Sequence, residues 1–162
     1  MAAKVSPIPA GYHSITTHIV VSDTRKAVDF YKRAFGAEER GMAEGPGGKI
    51  MHAEIKIGDS LLMLNDEMPE FEALSPTGTK ADTCVTLHLY VENADKVFSQ
   101  AKAAGAIETM PLQDQFWGDR YGKLKDPFGH SWSIATHIKD LSPQQMKAAM
   151  DEAMSKMHAH AH

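Results

Sequence analysis

Two stretches of the chain carry the same alternation of apolar and polar positions. The first runs from Thr17 to Ala37 (THIVVSDTRKAVDFYKRAFGA) and the second from Leu87 to Ala106 (LHLYVENADKVFSQAKAAGA). Each begins with the β-branched or apolar residues of a strand. Each continues with apolar positions three and four residues apart, which is the spacing of an amphipathic helix. Both stretches therefore predict a strand followed by a helix.

Polar and glycine residues mark the ends of the two predicted helices. Asp23 and Asn93 stand at the helix starts, where a short polar side chain accepts hydrogen bonds from the free amides of the first turn. Gly36 and Gly105 follow the last apolar positions and suit the left-handed conformation that ends a helix. The chain thus repeats one supersecondary unit.

Further strand patterns follow each predicted helix. The first copy continues as GGKIMHAEIKIGDSLLMLND with a turn at residues 58–59, and the second ends as GDRYGKLKDPFGHSWSIATH with a turn at residues 126–129. Both copies read β-α-β-β-β, and such a duplication indicates two paired modules. We predict an α+β fold with module one at residues 14–66, module two at 83–137 and a turn-rich linker between them.

The predicted sheets have two faces with different surroundings. One face of each sheet is apolar and is covered by the helix of its own module. The opposite face is left to meet the other module. We therefore expect a cleft between two curved sheets.

The C-terminal segment is separate from the two modules. Ser142 and Pro143 form a typical cap and first turn, and they predict a helix over residues 142–157. Methionines at positions 146, 150, 154 and 157 form one stripe on it. The stripe either docks on the protein itself or on a second subunit, which we favour, or it serves as an adaptable partner surface. Residues 158–162 (HAHAH) are expected to be a disordered tail.

Composition limits the classes of function. The 162 residues are 43% hydrophobic and 23% charged, which is enough for a full core without disulfides. The net charge of −4, without a long basic run, argues against nucleic-acid binding. The single cysteine, Cys84, excludes an internal disulfide or a cysteine-cluster zinc site, and we expect it in the core. No apolar run approaches the roughly 20 residues that span a membrane, so we expect a soluble cytoplasmic protein.

Two motifs in this arrangement resemble a known superfamily. DFYKRAFGA at residues 29–37 and DPFGHSWSIATH at residues 126–137 look like the vicinal oxygen chelate superfamily, which includes glyoxalase I, bleomycin and fosfomycin resistance proteins and extradiol dioxygenases. The longer run from residue 112 to 137 is similar to its PhnB-like branch. The resemblance covers roughly residues 14–137 and implies the paired-module fold and a homodimer. It implies no single activity, because this fold hosts many chemistries.

The resemblance also implies where a metal would be bound. In metal-dependent members the first and last strands of each module supply one ligand each, His or Gln early and Glu late. The matching positions here hold Thr16, Thr86, Ser133 and either Leu62 or Met63. None of these is a strong ligand for a divalent cation. We therefore predict that the usual metal site is absent, and we predict no cofactor.

Three other polar residues fall on strand faces that point toward the predicted cleft. His18 and His88 each lie two residues after an early ligand position, and Glu54 lies with His52 on the strand HAEIKI. These residues either contact a polar or anionic ligand, form a displaced divalent metal site, or serve as hydrogen-bonded structural residues. One histidine is also a candidate general base.

The segment DQFWGDRYG contains three further candidates for ligand binding. Arg120 can grip a carboxylate or phosphate, and Trp117 and Tyr121 can stack on a planar molecule. The alternatives are a hairpin packed by its own aromatic rings and a subunit interface.

Two functions follow from these candidate residues. The first is a metal-free binding or resistance protein for a small polar or aromatic molecule. The second is a lyase- or oxidoreductase-type enzyme that acts on a small oxygenated metabolite through His18, His88 or Glu54, with or without a displaced divalent metal. We expect a small-molecule ligand and a second copy of the chain as partners, and neither nucleic acid nor membrane.

Overall fold

The computed structural model describes residues 5–159, with side chains to residue 156. Module one contains β1 (Thr17–Val21), α1 (Thr24–Phe35), β2 (Glu38–Glu44), β3 (Ile50–Ile57) and β4 (Ser60–Asp66), and the linker contains the short α2 (Pro76–Thr79). Module two contains β5 (Thr86–Tyr90), α3 (Ala94–Ala104), β6 (Ile107–Asp114), β7 (Asp119–Lys125) and β8 (Ser131–His137), and α4 (Pro143–Ala159) follows it.

Each module forms a four-stranded mixed sheet of the same topology. Sheet one has the order β1-β4-β3-β2 and sheet two the order β5-β8-β7-β6. The first strand of each module runs parallel to the last, and the other neighbours are antiparallel. The predicted α+β fold of two β-α-β-β-β modules with a C-terminal helix is therefore confirmed.

The predicted caps explain where α1 and α3 begin. The Asp23 side chain accepts from the Lys26 amide, and the Asn93 side chain accepts from the Lys96 amide. Gly36 then ends α1 with a φ of 68°, a left-handed value that a side chain disfavours. The helices start and stop where local sequence dictates.

Each sheet buries one face against helices and leaves the other open. On sheet one Ile19, Ile55 and Leu64 are buried, while the alternate positions are more exposed. On sheet two a side chain at Gly122 would collide with Phe98 of α3, so Gly122 faces the helix. Strand alternation then directs its neighbours to the opposite side. We call these opposite sides the open face of sheet one and the open face of sheet two.

The two modules join through their helices and through the DPFGHSW turn. Helix α1 packs against α3. The buried Asp126 carboxyl accepts from the Tyr31 hydroxyl of module one at 2.7 Å and from Trp132 Nε1 at 2.9 Å. His130 Nε2 lies 2.9 Å from the Val20 carbonyl oxygen of β1. The turn thus supplies two hydrogen bonds between the modules, and Arg33 and Gln100 supply others between α1 and α3.

The position of Cys84 in the linker differs from the prediction. Cys84 is exposed, although its apolar surroundings predicted a core position. The reason is that β5 begins only at Thr86, so Cys84 lies in the connecting segment before the strand. Apolar neighbours in sequence do not bury a residue that precedes the sheet.

Helix α4 leaves module two beside the β6–β7 turn. The amides of Ile138 and Lys139 both donate to the Gly118 carbonyl oxygen, which ties the start of this segment to the turn. Met150 of α4 remains 47% exposed, and a depression of about 410 Å³ separates α4 from the turn.

Within residues 5–159, no helix is long and apolar enough to cross a membrane. Residues 160–162 of the predicted tail lie outside the described residues.

Candidate functional site

The centre of the open face of sheet two is a histidine–serine pair. His88 of β5 lies directly opposite Ser133 of β8. A hydrogen bond of 2.7 Å joins His88 Nδ1 and Ser133 Oγ. Ser133, at 1% exposure, occupies the position where the resemblance would place a metal-binding glutamate. Its hydroxyl orients the imidazole instead and leaves Nε2 available.

Two rings contact this imidazole, and a third ring contacts one of them. Tyr90 stands edge-on to His88 with ring centroids 4.4 Å apart, and Tyr121 lies nearly parallel to it at 5.9 Å and 21°. Trp117 is edge-on to Tyr121 at 5.4 Å. We call these four residues the ring cluster. Such contacts fix ring orientations while flat surfaces stay accessible, since Tyr90 is 59% exposed.

A buried carboxylate anchors the ring cluster. Asp119, 5% exposed, accepts hydrogen bonds from Tyr90 at 3.0 Å, Trp117 Nε1 at 3.1 Å and His137 Nδ1 at 2.7 Å. Burial raises the pKa of this carboxyl, but the hydrogen bonds from His137, Tyr90 and Trp117 together outweigh burial and hold the pKa below its ordinary value. The ionised carboxylate thereby holds two of the four rings in place.

His137 is bound by two carboxylates at the edge of this network. Hydrogen bonds to Asp119 and, on its Nε2 side, to Asp140 at 3.0 Å raise the pKa of His137. Its imidazolium therefore persists to a higher pH than that of a free histidine. The same residue connects β8 to the segment that leads to α4.

We expect the contribution of His137 to stability to decline as the pH rises. Its folded-state pKa lies above that of the unfolded chain, so the contribution is complete below about 6.5 and is lost as the pH passes the folded-state pKa. Asp119 stays ionised over this range because its pKa is lowered. Urea unfolding from pH 5.5 to 8.5 should show a stability difference between wild type and His137→Gln that shrinks with pH. A constant difference would contradict this assignment.

The open face of sheet one carries a different cluster. His52 Nε2 lies 3.0 Å from Glu54 Oε1, and the rings of His18 and His52 meet edge-on at 6.1 Å. Hydrogen bonds from His52 and then from the Tyr12 hydroxyl lower the pKa of Glu54. This cluster is polar and acidic, whereas the ring cluster is aromatic.

The structure divides the predicted site residues among three places. His18 and Glu54 lie on sheet one, and His88, Trp117 and Tyr121 come together on sheet two. Among the described residues, no hydrogen bond or ring contact joins the two groups.

The third place is occupied by Arg120, which lies on the opposite face of β7 from Tyr121. Its guanidinium binds both oxygens of Asp95 in α3 at 2.6 Å and Asp114 at 2.9 Å. These carboxylates raise the pKa of Arg120 further. The side chain is therefore engaged within the chain, tying α3 to β7.

Two depressions lie where the edges of the sheets approach each other. One of 410 Å³ is bounded by β1 and the linker and includes His18, Cys84 and His130. The other, of 350 Å³, adjoins the ring cluster. Its walls are mostly apolar, formed by Leu61, Leu87 and Trp132 among others, and of the ring cluster His88 alone lines it. Leu87 and Trp132 lie opposite each other on β5 and β8, on the other face of sheet two from His88 and Ser133, so this depression is not part of the open face.

The residues at the superfamily's metal positions do not fit a divalent metal. Ser133 is hydrogen-bonded to His88, and Met63, rather than Leu62, lies opposite His18 on the open face. Side chains of threonine, serine and methionine are poor ligands for such ions. In residues 5–156, no group of three or more His, Cys, Asp or Glu side chains is arranged to hold a metal ion.

Sequence reasoning did not identify the residues that support the ring cluster. Tyr90 follows His88 by two positions and therefore shares its face, which is a signal that strand alternation contains. Lys123 likewise follows Tyr121 by two positions in β7 and therefore shares its face. By contrast, Asp119 is 29 positions from Tyr90 in sequence, and only the folded structure joins them.

Comparison with known proteins identifies related chains. Residues 12–134 match the family model described as Glyoxalase/Bleomycin resistance protein/Dioxygenase superfamily. The uncharacterized protein Rv0887c of Mycobacterium tuberculosis is 40% identical over 153 residues, covering 93% of this chain and 86% of that protein.

Solved structures share the fold. TioX from Micromonospora sp. ML1 is 27% identical with a TM-score of 0.62, covering 78% of this chain and 100% of TioX. The PhnB protein from Bacillus cereus is 21% identical with a TM-score of 0.60, covering 76% of this chain and 99% of that one. At that identity the PhnB protein supports the fold alone.

Proposed function

We propose that this chain, which belongs to the Glyoxalase/Bleomycin resistance protein/Dioxygenase superfamily, binds a small polar or aromatic molecule on the open face of sheet two. Binding would not require the metal used by metal-dependent members. The protein would sequester or carry its ligand, which is a binding or resistance role. The observation that carries this proposal is the ring cluster, which Asp119 holds in place on the open face of sheet two.

The geometry of the ring cluster supports a planar ligand. Tyr121 and His88 present nearly parallel faces, and Trp117 adds a third ring at a right angle to Tyr121. Rings whose orientation is already fixed lose little conformational entropy when a ligand binds. A flat molecule can therefore stack on this surface with one polar group near His88 Nε2.

A thermal-shift screen against metabolites and antibiotics, in the presence of a chelator, tests the proposal. A ligand of the folded state raises the melting temperature by mass action. His88→Ala is expected to abolish the shift, because it removes a ring of the cluster. His18→Ala, the matching substitution on sheet one, is the control and should retain the shift. If the shift in melting temperature were lost in His18→Ala and retained in His88→Ala, the ligand would bind on sheet one and the proposal would be wrong.

We also propose that the protein is a homodimer. The half-exposed side chains of Met150 and Met154 on α4 support this, since such apolar surfaces are usually covered. Light scattering after size exclusion should give twice the chain mass of 17.8 kDa. Met150→Glu should shift the mass toward the monomer, whereas Gln144→Glu, away from the stripe, should not. A monomeric wild-type protein would contradict the proposal.

A further inference from the structure

We infer that the open face of sheet two selects planar organic anions and that Lys123 is the residue that sets this selectivity. The inference rests on the proposed function, because it assigns a ligand class to the same site. The inference depends on which charged side chains lie beside the ring cluster and on whether each has an ion-pair or hydrogen-bond partner.

Lys123 lies in the same cross-strand row as the central histidine. In β7 it is opposite Ser133, which in turn is opposite His88. On the other side its neighbour in β6 is Met110. Neither adjoining strand therefore supplies a counter-charge to the half-buried lysine. Among the described residues, Lys123 makes no salt bridge or hydrogen bond, whereas the next lysine on that face, Lys125, pairs with Asp82.

The acidic residue on this face does not neutralise Lys123. Asp119 is buried and gives its oxygens to Tyr90, Trp117 and His137. Both oxygens of the Asp119 carboxylate are therefore occupied by hydrogen bonds within its own network. The ammonium of Lys123 is thus an uncompensated positive charge in a partly desolvated setting, where it attracts an anion more strongly than in water.

The corresponding row of sheet one shows that this charge is specific to sheet two. There His18 lies opposite Met63, and Met63 lies opposite Glu54. The position equivalent to Lys123 is therefore acidic, and Glu54 is paired with His52. The two modules share a fold but present opposite charges beside their matching histidines.

His88 can supply a second contact to the same anion. When the Ser133 hydroxyl donates to Nδ1, Nε2 carries the proton and becomes a donor. A ligand whose ring stacks on Tyr121 would then direct a carboxylate or phenolate toward both Nε2 and the Lys123 ammonium. Charge-assisted hydrogen bonds of this kind are the stronger ones in proteins.

Three naphthalene probes of nearly equal shape test the inference by calorimetric titration of the full chain. They are 2-naphthoate, 2-naphthamide and 2-naphthylmethylammonium, which carry negative, zero and positive charge. We expect 2-naphthoate to bind at least about tenfold more tightly than the amide, and the cation to bind most weakly. Lys123→Met should remove the preference, whereas Lys125→Met should keep it. The melting temperature of Lys123→Met should stay close to that of wild type, because methionine keeps an apolar stem and no hydrogen bond or salt bridge among the described residues is lost.

The outcomes separate this inference from the proposed function. Equal binding of the amide and 2-naphthoate, with both lost in Tyr121→Ala, would overturn the anion selectivity and leave the aromatic site standing. A preference for 2-naphthoate that survives in Lys123→Met would overturn the role of Lys123. Failure of all three probes to bind would contradict the proposed function as well.

Discussion

Replacing Asp126 with alanine is expected to lower the free energy of unfolding by about 3–5 kcal/mol. The Asp126 carboxyl is 4% exposed and accepts four hydrogen bonds. They come from the Tyr31 hydroxyl, Trp132 Nε1 and the amides of Phe128 and His130. Alanine would leave all four buried or partly buried donors without this acceptor. Chemical denaturation monitored by circular dichroism measures the loss.

Matched variants separate the network from the loss of a single contact. Tyr31→Phe removes only one donor and should cost about 1 kcal/mol. Asp82→Ala removes an exposed carboxylate that pairs with Lys125 and should have a much smaller effect than Asp126→Ala. Equal stability losses in Asp126→Ala and Tyr31→Phe would show that the other three hydrogen bonds contribute nothing. Asp126 would then act through its hydrogen bond with Tyr31 alone, and its assignment as the acceptor of a four-donor network would be wrong.

Replacing Tyr121 with alanine is expected to weaken ligand binding by about 2 kcal/mol, or roughly 30-fold in Kd. Tyr121 supplies the face parallel to His88 and also contacts Trp117, so its loss removes one stacking surface and loosens another. Calorimetric titration with the best ligand from the thermal-shift screen measures the change.

Two controls accompany this substitution. Tyr121→Phe keeps the ring and should bind within a few-fold of wild type, because the stacking surface is retained. Tyr12→Ala removes a tyrosine that hydrogen-bonds Glu54 on sheet one and should leave affinity unchanged. Wild-type affinity in Tyr121→Ala, in a protein that remains folded, would exclude the ring cluster as the binding surface.

The fold could be predicted because its signals are local and occur twice. Asp23 and Asn93 cap the helices through contacts with residues three positions away, and such contacts can be read directly from sequence. The repeat then fixed the number of strands in each module. Two copies that predict the same elements support the fold more strongly than one copy would.

The site was predicted less completely because its contacts are distant in sequence. Trp117, Arg120 and Tyr121 were grouped as neighbours, but β7 begins at Asp119, so Arg120 and Tyr121 point to opposite faces. The pairing register of β7 with β8 decides which of the two shares a face with His88, and the sequence pattern does not give that register within one residue. Asp119 likewise gained its role only through folding, which brings Tyr90 and His137 to it.

The most direct test of metal-free binding on sheet two is a nuclear magnetic resonance titration of the protein, kept in chelator, with the best ligand from the screen. The chain has two tryptophans, whose indole N–H signals report separately. Trp117 belongs to the ring cluster, whereas Trp132 is 4% exposed and bonded to Asp126. We predict that the Trp117 and His88 signals shift to saturation while those of Trp132 and His18 stay in place. Shifts confined to His18 and His52, or shifts that require an added divalent metal, would contradict the account.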